Sequence, residues 1–167
     1  MLYGHAAEIA IRAALYLAGR PPGELSPVHE VARATKLPSP YLSKVIQRLA
    51  QAGLVRTFRG PGGGIELGKS PEVITLWSLV CATDGPADVN RCALGIGNCS
   101  PSNPCPLHGR WVPLREEFQK LLEGTTLATL LRELAETQGQ QGSVQRLVAE
   151  RSGPLSGDIV PERQVRR

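Results

Sequence analysis

The chain has 167 residues, with 19 Lys+Arg against 15 Asp+Glu and a formal charge of +4. Its 41% apolar residues suffice for a core, while 18 Gly and 14 Pro assign a good part of the length to loops. No run of about 18 apolar residues exists to span a membrane. The first twenty residues lack the basic start, unbroken apolar stretch and small-residue cleavage site of a signal peptide. The expected compartment is therefore the cytoplasm, where four cysteines favour metal binding or redox chemistry over structural disulfides. Charge is uneven: residues 1–70 carry a net +5, residues 71–138 a net −3 and residues 139–167 a net +2. A basic front half suits an anionic partner, although a solvated basic surface would read the same way.

Residues 5–19 are rich in Ala and Leu and predict a helix closed by Gly19 and Pro21-Pro22. Its apolar residues (Ile9, Ala13, Tyr16 and Leu17, widened by Ile11, Leu15 and Ala18) imply packing on more than one side. Ser26-Pro27 reads as an N-cap and first-turn proline, opening a short helix that ends near Lys36. Ser39-Pro40 repeats that signal ahead of Leu42, Val45, Ile46 and Leu49, which follow i, i+3, i+4, i+7 spacing, and Gly53 fits a left-handed C-cap. Two short helices so spaced form a helix-turn-helix. Leu54–Phe58, the glycine-rich turn 60–64 and Ile65–Leu67 then predict a hairpin, the wing of a winged helix.

Ser70-Pro71 predicts a further helix to about Thr83. Residues 86–109 hold three cysteines among Gly, Pro, Asn and Ser, and suit neither helix nor strand. From Arg110 a long amphipathic helix follows, with Trp111, Leu114, Phe118, Leu121 and Leu122 in one stripe, continued after Gly124 by Leu127, Leu130, Leu131 and Leu134. The last thirty residues have few apolar positions and predict a largely disordered tail. The organisation is thus a winged helix-turn-helix domain at 1–84, a cysteine-rich loop at 85–109, a long helix and a following helix at 110–137, and a tail at 138–167. The fold class is mostly α with a small β-hairpin.

Ser39, Pro40, Tyr41, Ser43, Lys44, Gln47, Arg48 and Gln51 lie at the start of the third helix or beside its apolar stripe, and such side chains reach base edges or phosphates from the major groove. A solvated helix face is the plainer account of the same pattern. Arg56 and Arg59 flank a turn in which Gly60 and Gly62 leave a thin tip, and an arginine there can enter a narrow minor groove. Residues 63–70 match the phosphate-loop pattern G-x-x-x-x-G-K-[ST] in full. A phosphate loop keeps its amides open, whereas Ile65-Glu66-Leu67 alternates like a paired strand and Pro71 removes an amide where the helix would begin. Nucleotide binding is therefore not expected.

Cys92, Cys99, Cys105 and His108 form a Cys-x6-Cys-x5-Cys-x2-His series. Three thiolates and an imidazole on one loop can close round tetrahedral zinc or an iron–sulfur cluster. Cys81 lies within an apolar helical run and reads as a core residue. The three histidines lie in separate segments and no serine sits in a nucleophile elbow, so no arrangement points to an enzyme.

Taken together, residues 1–137 resemble the IscR/NsrR-type family of winged-helix transcriptional regulators. The likeness rests on Ala10-Ile11-Arg12-Ala13, on Ser39-Pro40-Tyr41-Leu42, on the wing Arg59–Leu67 and on a three-cysteine loop before a long helix. The resemblance implies a homodimer held by helix 110–123, with recognition helices and wings on half-sites of double-stranded DNA about 34 Å apart. It also implies a [2Fe–2S] or [4Fe–4S] cluster on Cys92, Cys99 and Cys105. The fourth ligand is His108 in one branch of the family and a carboxylate on the partner's first helix, here at Glu8, in the other; this chain has both. The first cysteine gap is six residues where five is commoner, Ser43 stands where related chains carry an acidic residue, and residues 1–8 lack the usual basic residues. Two alternatives stay open: a winged-helix regulator with a structural zinc or thiol-redox site, and a Cys3His zinc RNA-binding module.

Overall fold

The first helix forms because its fourteen residues, His5–Ala18, are mostly Ala, Leu and Ile with no Gly or Pro among them (α1). Ala7, Ile9, Ala10, Ala13, Ala14, Tyr16 and Leu17 are buried along it, too many for one stripe, so α1 is covered from several sides. Val28–Thr35 (α2), Ser39–Gln51 (α3), Leu76–Thr83 (α4) and Leu127–Gln138 (α6) all pack on it, as does the second wing strand. The computed structural model describes residues 3–85, 92–95 and 100–138. Cys99 and the expected disordered tail from residue 139 lie outside the described residues.

The helix-turn-helix follows the reading made from sequence. Lys36 ends α2 in the left-handed region at φ 53°, Leu37 turns into the core, and Pro38 precedes α3. Leu42, Val45, Ile46 and Leu49 are all buried, and Gly53 takes φ 68° as the left-handed residue after α3. Val55–Phe58 (β1) and Gly64–Leu67 (β2) pair antiparallel, with Arg56 opposite Glu66 and Phe58 opposite Gly64. The turn between them needs Gly60 at φ 98° and Gly62 at φ 77°, which a side chain would strain.

Three start signals need correction. Ser26 does not cap α2: it is fully buried and pairs backbone to backbone with Ile65, at 3.0 and 2.9 Å, as an isolated antiparallel bridge on the edge of the wing. The cap position falls on Pro27. Ser39 is the first residue of α3, with Pro38 at the cap position and no side-chain cap. The segment after Ser70-Pro71 is a turn; α4 starts only at Leu76, where the Thr75 hydroxyl accepts the Ser78 amide at 3.1 Å. The chain stays non-helical there because Thr75 bridges Thr126 and the Ile74 carbonyl accepts the Leu127 amide.

The long helix runs over His108–Gly124 (α5), two residues earlier than the pattern suggested, and tolerates Pro113 inside it. Leu122 is its one buried side chain, set against Ala7 and Val80, and Phe118 stacks on Tyr3 with ring centroids 6.0 Å apart. Leu127, the first residue of α6, is fully buried in the winged-helix core.

Candidate nucleic-acid interface and cysteine loop

The burial of Leu42, Val45, Ile46 and Leu49 turns the opposite side of α3 outward. Ser39, Pro40, Tyr41, Lys44, Gln47 and Gln51 are exposed there. Ser43 is half-buried, and its hydroxyl donates to the Ser39 carbonyl at 3.0 Å. Arg48 behaves differently from its neighbours: its guanidinium donates to the Thr83 carbonyl at 2.6 Å and ties α3 to the end of α4. Tyr41 keeps ring contact with His5 at the start of α1, centroids 5.6 Å apart.

On the wing, Arg56 is paired across the strands with Glu66 at 2.9 Å, while Arg59, Gly60 and Gly62 are exposed at the tip. Phe58, 45% exposed beside Arg59, was not singled out from the sequence. An isolated aromatic in a strand pattern reads as core until the register is known, and here β1 presents it to solvent. The phosphate-loop match falls on the paired strand that its alternation predicted. The amides of Gly63, Ile65 and Gly68 are committed to the carbonyls of Gly60, Ser26 and Leu54 at 2.9 Å each.

In the cysteine loop, Cys92 Sγ and Cys105 Sγ lie 3.4 Å apart although thirteen positions separate them in sequence. His108 is the first residue of α5, and its amide donates to the Cys105 carbonyl at 2.9 Å. Among the described residues no group of three His, Cys, Asp or Glu side chains gathers at one point; Cys99, the third thiolate of the predicted set, is outside them. Glu8, half-buried on α1, faces Arg12 at 3.5 Å and His5 at 3.6 Å. Its charge adds to burial in raising the Tyr3 phenol above its ordinary value, burial being the larger cause. Cys81 is half-buried in α4, where burial and then the Glu123 charge push its thiol up. That environment suits a packed thiol better than a ligand.

A helix-turn-helix followed at once by a hairpin, with a polar third-helix face and an arginine on the hairpin tip, defines a winged-helix DNA-binding protein. The model of the Rrf2 family, described as iron-dependent transcriptional regulators, matches residues 3–133. The chain belongs to the Rrf2 family. An HTH-type relative from Aquifex aeolicus is 33% identical over 133 residues, 78% of this chain and 92% of the relative. The transcriptional regulator IscR of Klebsiella pneumoniae is 32% identical over 117 residues, 69% of this chain and 71% of the relative. Among solved structures, CymR, the global cysteine regulator of B. subtilis, superposes with TM-score 0.65 at 23% identity, covering 78% of this chain and 95% of that one. IscR of T. potens gives 0.63 at 24% identity, covering 83% and 92%. Among the described residues no helix is long and apolar enough to cross a membrane.

Proposed function

We propose that this Rrf2-family regulator binds operator DNA as a homodimer and senses redox, nitric oxide or iron–sulfur status through an iron–sulfur cluster on residues 92–108. The single observation behind the sensing half is the approach of Cys92 and Cys105. Two thiolates about 2.3 Å from one tetrahedral metal are held about 3.8 Å apart, close to the 3.4 Å between these sulfurs. Cys92 and Cys105 therefore fit a thiolate-ligated centre, in which Cys99 would be the third thiolate and His108 or the partner's Glu8 would complete the set. Such a centre supplies sensitivity to oxidants, nitric oxide and iron supply.

The chain's own residues carry the signal onward. Cys105 sits three residues before His108, the start of α5, so whatever fixes the cysteines fixes the start of that helix. Leu114 and Leu121 on α5 are 65% and 62% exposed, an apolar edge suited to the same helix of a second copy. Glu8 and Tyr41 both touch His5, which connects a candidate ligand position to the DNA-reading helix. On the DNA side, Tyr41 and Gln47 would face the major groove, Lys44 the flanking phosphates and Arg59 the minor groove.

Structural zinc is a second reading, since two thiolates at this spacing suit that ion equally. Anaerobic purification with iron, sulfide and zinc analysis decides between them. Visible absorbance with iron and sulfide supports the cluster, and a colourless protein with one zinc per chain replaces it. Within the first outcome, Cys99→Ala is expected to lose the iron; a full iron load would remove Cys99 from the ligand set.

A further inference from the structure

We propose that Cys92 and Cys105 form a reversible disulfide in the metal-free chain and so make up a redox couple within the loop. The proposal rests on reading residues 92–108 as the sensing segment but requires no metal. The two sulfurs are 3.4 Å apart, and a disulfide needs about 2.05 Å, a gap that side-chain rotation on a Gly- and Pro-rich loop can close. Neither partner must be brought from another element: the turn from Cys105 into His108 is held by its own backbone hydrogen bond, and the Cys92 carbonyl accepts the Gly95 amide at 3.0 Å. Both local frames are thus set with the thiols already facing each other.

The oxidant is a low-molecular-weight disulfide. One protein thiolate attacks it, forming a mixed disulfide and releasing one small thiol. The second protein thiolate then attacks the protein sulfur of that mixed disulfide and releases the other small thiol. Two protein S–H bonds are lost and one S–S bond forms; the small disulfide is reduced to two thiols, which take up the two protons. Closure removes two of the three candidate thiolate ligands, so the oxidised chain and the metal-loaded chain exclude each other. Cys81, half-buried in α4 with its thiol pushed up by burial, serves as an internal control that stays reduced.

The test uses the full chain, stripped of metal by a chelator and equilibrated with oxidised glutathione under argon. The protein is unfolded in iodoacetamide so that every open thiol is blocked, and is then reduced and labelled with N-ethylmaleimide. Cleavage after Arg91 and Arg110 releases residues 92–110 as one peptide holding three of the cysteines, and fragmentation locates each label. The expected result is N-ethylmaleimide on Cys92 and Cys105 at least tenfold above Cys81 and Cys99. Label on Cys99 with either neighbour, a disulfide-linked dimer, or no protected thiols overturns the proposal. Cys99→Ala must still close, within about twofold of the parent rate, and Cys105→Ser must not. Should Cys105→Ser fail to fold, the Cys99→Ala chain decides alone. Because no metal enters the assay, closure with no iron uptake would refute the cluster reading and leave the disulfide standing. The reverse pair of results would do the opposite.

Discussion

The winged-helix half and the segment beyond Thr83 achieve order in different ways. In the front half each amphipathic element finds its partner within the chain: α1 is covered by α2, α3 and α4, and the buried stripe of α3 closes against it. Beyond Thr83 the long helix α5 has seventeen residues but one buried side chain, Leu122, while Leu114 and Leu121 face solvent. The lesson is that an apolar stripe with clear helical spacing states that a surface will be covered, not that the same chain covers it. α6 refines the contrast, because Leu127 returns to the winged-helix core after α5 has left it.

The largest expected effect breaks the division between the two regions. Leu127→Ala should cost about 2–5 kcal/mol of folding stability in urea unfolding, as any fully buried leucine does. Leu121→Ala, at an exposed site, should change it by about 0.5 kcal/mol or less while weakening self-association in sedimentation. Equal losses for the two would mean that α6 does not belong to the front core.

Next in size are the DNA contacts. Arg59→Ala and Tyr41→Ala should each weaken operator binding by about 1–3 kcal/mol in a gel-shift assay. Lys44→Ala should weaken binding to all sequences alike and reduce the salt slope by about one. If Arg59→Ala and Tyr41→Ala both bind like the parent, the interface lies elsewhere on the molecule.

Arg48 sharpens the comparison further, since its hydrogen bond crosses from α3 to the last residue of α4. Arg48→Ala should remove about 1.5 kcal/mol of stability, the low end for a hydrogen bond involving a charged group because Arg48 is exposed, and leave base preference unchanged. A loss of binding as large as that of Arg59→Ala with no loss of stability would make DNA contact, not the tie to Thr83, its main role.

How far the sequence could be read follows the same divide. The spacing of Leu42, Val45, Ile46 and Leu49 carried α3 and its outward face, and the glycines at 60 and 62 carried the wing turn, because both signals are local. What was misread depended on distant chain. Ser26 looks like a helix cap, but Ile65, 39 positions away, takes its backbone into the wing. Ser70-Pro71 looks like a helix start, but the strand-like contacts of Ile74 and Thr75 with Thr126 and Leu127 hold the segment extended. Arg48 was not misread, since it is exposed beside the other polar residues of α3, but its hydrogen bond to the Thr83 carbonyl depends on distant chain and has no local signal. In the cysteine loop the spacing named the residues, yet nothing in a spacing says that the first and last thiols come within 3.4 Å of each other.

The smallest expected effect lies on the seam between α1 and α2. The Tyr16 hydroxyl donates to the Glu30 carboxylate at 3.2 Å. Burial, then the Glu30 charge and this hydrogen bond, raise the phenol above its ordinary value of 10.0, with Glu24 adding and Arg20 opposing. A raised phenol means that the folded state holds its proton more tightly than the unfolded state does. The contribution is therefore complete below pH 10 and is lost as pH rises through the folded value. Tyr16→Phe removes the hydrogen bond, at a cost of about 1 kcal/mol or less at neutral pH, and with it the Tyr16 share of the alkaline loss. Urea midpoints of parent and variant should thus converge as pH rises above about 10. Parallel curves above that pH would show that the Tyr16–Glu30 contact does not persist in solution, and that the α1–α2 seam is held by its apolar packing.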